Sequence, residues 1–149
     1  MTTFDILDRA ERIEQLAADI YDALALQFAG DPKARALFER LRDEELQHAN
    51  RVRMLGSQSR SDRKLMAKLE VDPREMELVF GEMVGLLKRL RAGGWTMDLA
   101  ATKRLLLELE ERCSRAHAHL LYQGVHDGLR RFFEQLAAQD KAHEELLRE

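Results

Sequence analysis

A single cysteine, Cys113, rules out an internal disulfide and any Cys-x-x-Cys metal knuckle, and it fits a reducing compartment such as the cytoplasm. No apolar run approaches the roughly 20 residues of a membrane span. The charged start MTTFDILDRAERIEQ lacks the basic and apolar regions of a signal peptide. Neither sign of charge dominates. The 24 basic and 27 acidic residues leave a net charge of -3, so there is no electrostatic case for nucleic acid or an anionic membrane as partner. Only two prolines interrupt the 149 residues, and no segment alternates apolar and polar side chains long enough to argue a strand. These absences predict a soluble, cytoplasmic, all-α protein, and the length favours one domain over 1–149.

What is present is helix-forming sequence divided by breakers. A first helix is expected from about Phe4 to Ala29, ending at Gly30. Asp31-Pro32 restarts the chain with a capping side chain and a proline, and the second helix is expected to reach about Leu55. Gly56-Ser57-Gln58-Ser59-Arg60-Ser61 reads as a loop. Asp72-Pro73 opens a shorter helix that closes at Gly93-Gly94. Thr96 or Asp98 caps a third long helix to about Tyr122, 124–128 read as a turn, and a last helix runs nearly to the C-terminus. The expected architecture is a four-helix bundle of two hairpins, about 4–55 and 96–147. A crossover at about 56–95 carries the shorter helix between them.

Each long helix carries an inward stripe at bundle spacing, interrupted by ionisable residues. The first reads Leu7, Ala10, Glu14, Ala17, Tyr21, Leu24, Phe28, and the second Phe38, Leu41, Glu45, His48, Val52, Leu55. The third reads Leu99, Lys103, Leu106, Glu110, Cys113, His117, Leu120, and the fourth Leu129, Phe133, Leu136, Asp140, His143, Leu147. Lys103 is a blemish. The midpoint between Glu14 and Glu45 falls in the first turn, and that between Glu110 and Asp140 in the second. Antiparallel hairpins therefore bring the four carboxylates and two imidazoles to one depth. Unpaired, such a layer would cost several kcal/mol per buried charge. A pair of divalent ions removes that cost, and oxygen and imidazole donors suit non-haem iron or manganese. One Glu from each of two helices plus carboxylate-x-x-His from each of the others is a di-iron donor set.

The halves also repeat. RALFERLRDEELQHA (35–49) aligns with RRFFEQLAAQDKAHE (130–144) at an offset of 95, pairing His48 with His143 and Glu45 with Asp140. The preceding helices align at an offset of 96, pairing Glu14 with Glu110 and Tyr21 with His117.

The segments AERIEQLAADIYDAL, ARALFERLRDEELQHANRVRML, LELEERCSRAHAHLL and FFEQLAAQDKAHEELL together resemble the rubrerythrin-like branch of the ferritin-like superfamily. The resemblance covers all four long helices and implies a ferritin-like bundle. Its metal ligands match Glu14, Glu45, His48, Glu110, Asp140 and His143, which would hold two iron ions, manganese or a mixed pair being possible. Asp140 stands in place of the usual Glu, His117 where the family often has Tyr, and Leu107 where rubrerythrins carry an extra Glu. The set thus stands closer to bacterioferritin-like ferroxidase centres. The family's four-cysteine rubredoxin-like domain has no counterpart, so electrons must come from a separate protein or from Fe(II) itself. The resemblance implies an oxidoreductase that reduces peroxide or O2 at the expense of Fe(II), as a homodimer or larger homo-oligomer.

Blander readings stand beside these. With 27 acidic residues among 149, roughly one histidine in five has a carboxylate three residues earlier by chance, so placement on the seams carries the argument. Tyr21 reads as a core tyrosine bonded to a ligand carboxylate, and His117 as a donor behind the ligands. Cys113 reads as a small buried hydrophobe. Glu11, Glu44, Glu108 and Glu111 fall off the seams and read as solvated charges, and His119 and His126 as surface or turn residues. Met76, Met83 and Leu86 should cover the bundle, while Gly81 and Gly85 could admit a second copy's helix. The alternatives in function are an iron-sequestering ferroxidase, an oxygenase of an organic substrate, and a metal-free helical interaction module.

Overall fold

The computed structural model describes residues 2–59, 72–121 and 127–149. Five helices follow in order, with no strand among the described residues: α1 (Thr3–Gln27), α2 (Pro32–Ser59), α3 (Arg74–Arg91), α4 (Leu99–Leu121) and α5 (Asp127–Arg148). The fold is an all-α bundle in which α1 packs along α2 and α4 along α5. No described helix is long and apolar enough to cross a membrane.

Local chemistry sets the helix starts. Thr2 and Asp5 form a reciprocal capping box on α1. The Asp31 carboxylate accepts from the amides of Lys33 and Ala34 at 3.1 and 3.2 Å, starting α2 around Pro32. Asp98, not Thr96, caps α4 by accepting from the Ala101 amide at 2.7 Å. Gly93 and Gly94 follow α3 with φ of 80° and 72°, a conformation that side-chain-bearing residues rarely adopt.

One expected loop is helix. α2 continues through Gly56 to Ser59, although Gly and Ser are poor helix formers. The reason is tertiary. α1 begins at Thr3, so an antiparallel partner turning near Gly30 stays against it as far as Gly56, which is buried. Leu7 and Val52 both belong to the hydrophobic core at this end, and that packing outweighs a propensity cost of about 1 kcal/mol. At the second turn α5 already begins at Asp127. The remainder of that turn, His126 and much of the crossover lie outside the described residues.

The predicted seams are the core. Leu7, Leu24, Phe38, Leu41, Leu106, Leu129, Phe133 and Leu136 are all buried. α1 buries a second stripe, Ile6, Ile13 and Ile20, because α3 covers its other side. α3 lies across α1 and α4 and buries Met76, Val79, Met83 and Leu86. Ion pairs fasten it at both flanks, Arg9 of α1 with Glu77 at 2.8 Å and Arg112 of α4 with Glu82. Arg9 also lies 4.1 Å over the Phe80 ring. Gly81 and Gly85 face open space.

Candidate metal centre

Halfway along the bundle the apolar seams give way to a layer of charge. Glu14 of α1, Glu45 and His48 of α2, Glu110 and His117 of α4, and Asp140 and His143 of α5 are each at most 5% exposed. Spacing of three residues puts Glu45 with His48, and Asp140 with His143, on one face of their helices.

The donor atoms interlock. His48 Nδ1 lies 3.0 Å from Glu45 Oε2 and 3.3 Å from Glu14 Oε2. His143 Nδ1 lies 3.0 Å from Glu45 Oε1 and 3.4 Å from Glu110 Oε1. The two imidazoles stack with centroids 5.5 Å apart. Tyr21 donates its hydroxyl to Glu110 Oε1 at 2.5 Å. His117 Nδ1 lies 2.7 Å from Asp140 Oδ2, and its Nε2 3.7 Å from Glu14 Oε1. The donor atoms of Glu45, His48 and His143 fall within 4.8 Å of one another, as do those of Glu14, His117 and Asp140.

Such a layer resists ionising without a cation. Burial, and then the charge of Glu45, pushes Glu14 up to about 8, although His48 opposes the shift. Burial raises Asp140 to about 6 against the pull of His117. The imidazoles respond oppositely: burial lowers them, but the carboxylates override it. Asp140, then Glu14 and Glu45, push His117 up to about 9. Contact with Glu110 and Glu45 pushes His143 up to about 12. The metal-free layer therefore stores protons that a metal ion must displace.

The residues fit a pair of divalent ions. Ligands adjacent on an ion with bonds of about 2.1 Å stand about 3 Å apart, which is the spacing of the His48, His143 and Glu45 atoms. Two dications would also balance the four carboxylates. The clearest sign is His143. Its Nδ1 is buried without a hydrogen bond in acceptable geometry, while Nε2 lies 2.9 Å from Glu44 Oε2. If an ion displaces the Nδ1 proton, Glu44 keeps the other proton on Nε2 and the Nδ1 lone pair is free to bind it, which is the tautomer a metal-ligating histidine needs.

Glu44 is the residue that seam reasoning misplaces. It leaves the stripe, yet it spans from Arg40, at 3.0 Å, to His143 on a different helix. The doubled acid of Glu44-Glu45 was the only sequence signal. Glu11 and Glu111 do pair with surface arginines, Arg53 and Arg148. Cys113 is buried, and burial followed by the charge of Asp140 and Glu110 pushes its thiol well above the usual range. The side chain of His119 and all of His126 lie outside the described residues.

A cavity of about 10 Å³ adjoins the layer, with Glu14, Glu45, Glu110 and Asp140 on one side and Ile13, Met83, Leu106 and Cys113 on the other. It has room for roughly one water-sized molecule.

The Tyr21 bond gives a direct test. Tyr21→Phe is expected to leave the fold intact and to weaken metal binding about tenfold, because Glu110 loses the donor that orients it. Anaerobic Fe(II) titration and a melting curve on the same sample check this; unchanged affinity would make Tyr21 a packing residue only.

Comparison with known proteins agrees with the geometry. No curated protein and no solved structure matches the chain. A family model does: Rubrerythrin, over residues 5–149, nearly the whole length and all four long helices. The match spans both hairpins and the helix between them, and the chain belongs to the rubrerythrin family.

Proposed function

We propose that this protein binds two iron ions through Glu14, Glu45, His48, Glu110, Asp140 and His143, and uses them to reduce peroxide or O2. His48 and His143 would each give an ion a nitrogen donor, and Glu14, Glu45, Glu110 and Asp140 would give carboxylate oxygens. Bound there, two ferrous ions would supply the two electrons that, with two protons, convert one peroxide to two waters.

The chain's own part is placement, exclusion of water and proton supply. Leu106, Phe133 and Met83, all buried, close the layer from solvent. Tyr21 holds Glu110 through its hydroxyl, and His117 holds Asp140 through Nδ1. Both bonds fix carboxylates that would otherwise turn freely, and the Tyr21 bond puts a proton beside the cavity.

The observation that carries the choice of substrate is the cavity. At about 10 Å³ beside the carboxylates it has space on the scale of a water molecule, which supports a very small oxidant, whereas an organic substrate needs roughly 300 Å³ or more. That favours oxidant reduction over oxygenation. Cys113 is the only cysteine among these 149 residues, so they hold no four-cysteine iron site of their own, and electrons for re-reduction come from outside the bundle or from Fe(II) itself, a reading that rests on the family resemblance.

The test is stoichiometric. Protein loaded anaerobically with Fe(II) is mixed with limiting hydrogen peroxide or O2 and followed by rapid-mixing absorbance. Two ferrous ions oxidised per peroxide, faster with peroxide than with O2, is the expected result. Continued uptake far beyond two ions per chain, in a large shell-like assembly, would make the protein an iron store. Oxidation no faster than that of free Fe(II) would remove the enzymatic reading.

A further inference from the structure

The duplication that built the molecule is broken at its centre. Among the pairs that differ between the halves, three bear on the layer's charge and hydrogen bonds: Tyr21 with His117, Glu45 with Asp140, and Glu44 with Gln139. Phe38 and Phe133, Leu41 and Leu136, and within the layer His48 and His143, are kept.

Each difference has a structural consequence. Tyr21 of the first half reaches Glu110 of the second at 2.5 Å. Its counterpart His117 should reach Glu14, the counterpart of Glu110, but stops 3.7 Å away and bonds Asp140 at 2.7 Å instead. Asp140 is one methylene shorter than Glu45, so its carboxylate sits back towards its own helix, where His117 meets it.

The third pair matters most. Glu44 backs His143 at 2.9 Å and is itself held by Arg40. Under the same repeat Gln139 should back His48. It brings a neutral amide where Glu44 brings a charge, and its Oε1 is buried without a hydrogen-bond partner. A carboxylate behind a ligand imidazole raises the basicity of the ligating nitrogen, and an amide does so far less.

We infer that the two metal positions are unequal: the ion bound by His143, backed by Glu44, is held more tightly and fills first, and the ion bound by His48, for which the repeat offers only the neutral Gln139 at the matching position, follows. The inference rests on the two-ion reading above and goes beyond it by ordering the ions. A first ion that enters alone meets the better-backed histidine, and the centre passes through a half-filled state in which His48 still waits.

Two steps of unequal affinity do not by themselves decide the matter, because two dications in contact repel and weaken the second step even in a symmetric site. What decides it is which step each substitution moves. Anaerobic Fe(II) binding is measured by titration calorimetry and by equilibrium dialysis. Glu44→Gln is expected to weaken the tighter step 10- to 100-fold and to leave the weaker one nearly unchanged. Gln139→Glu is expected to strengthen the weaker step. His48→Ala should keep one tight ion, and His143→Ala should lose it. Melting curves identify any variant that fails to fold, and the Glu44→Gln/Gln139→Glu exchange, which conserves charge, should reverse the order. Equal effects of Glu44→Gln on both steps, or equal losses in His48→Ala and His143→Ala, would overturn the inference while leaving a two-ion centre. No iron bound by the wild type would instead remove the two-ion reading itself.

Discussion

Substituting Glu45 and His143 together with alanine is expected to reduce bound iron from two ions per chain to none, and peroxide turnover with it. Glu45 touches both imidazoles, His48 through Oε2 and His143 through Oε1, at 3.0 Å each. Its loss therefore deprives both positions of a shared oxygen, and the second substitution removes one terminal nitrogen. Metal content per chain after anaerobic loading and desalting is the measurement. The variant should still fold, since a buried acid and the imidazole it contacts leave together, and the loss of Glu45 removes a charge that helps raise Glu14. Two ions retained by a folded variant would mean that the metal sits elsewhere.

A second large effect concerns pH. Without metal, the protein is expected to lose stability as pH rises from about 6 to 9. Glu14 moves from 4.5 in the open chain to about 8 when folded, and His117 from 6.5 to about 9. A raised folded value means that the native state binds more protons than the unfolded one, so stability is full below the unfolded pKa and falls through the folded one. Asp140 shifts the same way, up to about 6, and has spent most of its contribution before this window. A loss on the order of 3 kcal/mol corresponds to a drop in Tm of roughly 10 °C. Iron should flatten the dependence, because bound ions take over the neutralising role of the protons and stabilise by mass action. Melting curves of the metal-free and iron-loaded protein at pH 6, 7.5 and 9 check both statements. A metal-free Tm that rises over this range would show that the layer is ionised and solvated.

How much of this was legible in the sequence follows from what the periodicity encodes. The seams could be read because bundle packing imposes a repeat of three and four residues, and a charged residue on such a seam stands out against its apolar neighbours. Thus Glu14, Glu45, His48, Glu110, Asp140 and His143 could all be assigned to one layer before any coordinates. The same logic had to miss Glu44. A periodic stripe says which residues face inward from one helix; it does not say where a long side chain beside the stripe will reach on another. The second stripe of Ile6, Ile13 and Ile20 was hidden for a related reason, because nothing in α1 itself announces that α3 will cover it. The run from Gly56 to Ser59 misled because local propensity was weighed without the length of the helix opposite. The bond from His117 to Asp140 depends on a shortened side chain and a ring meeting across two helices, which no spacing rule contains.

The placement of α3 has a mechanical consequence. Among the described residues the two hairpins approach each other sparsely along α2 and α5, whereas α3 lies against both α1 and α4. Its ion pairs, Arg9 with Glu77 and Arg112 with Glu82, reach one hairpin each. The molecule is bound like a book, with α3 as the spine and the ionisable layer as the clasp between the covers. Loosening the clasp, as metal loss does, frees the side far from the spine first. The amides of α2 and α5 should then exchange with solvent sooner than those of α1 and α4, while the spine keeps the two halves in register for the next pair of ions.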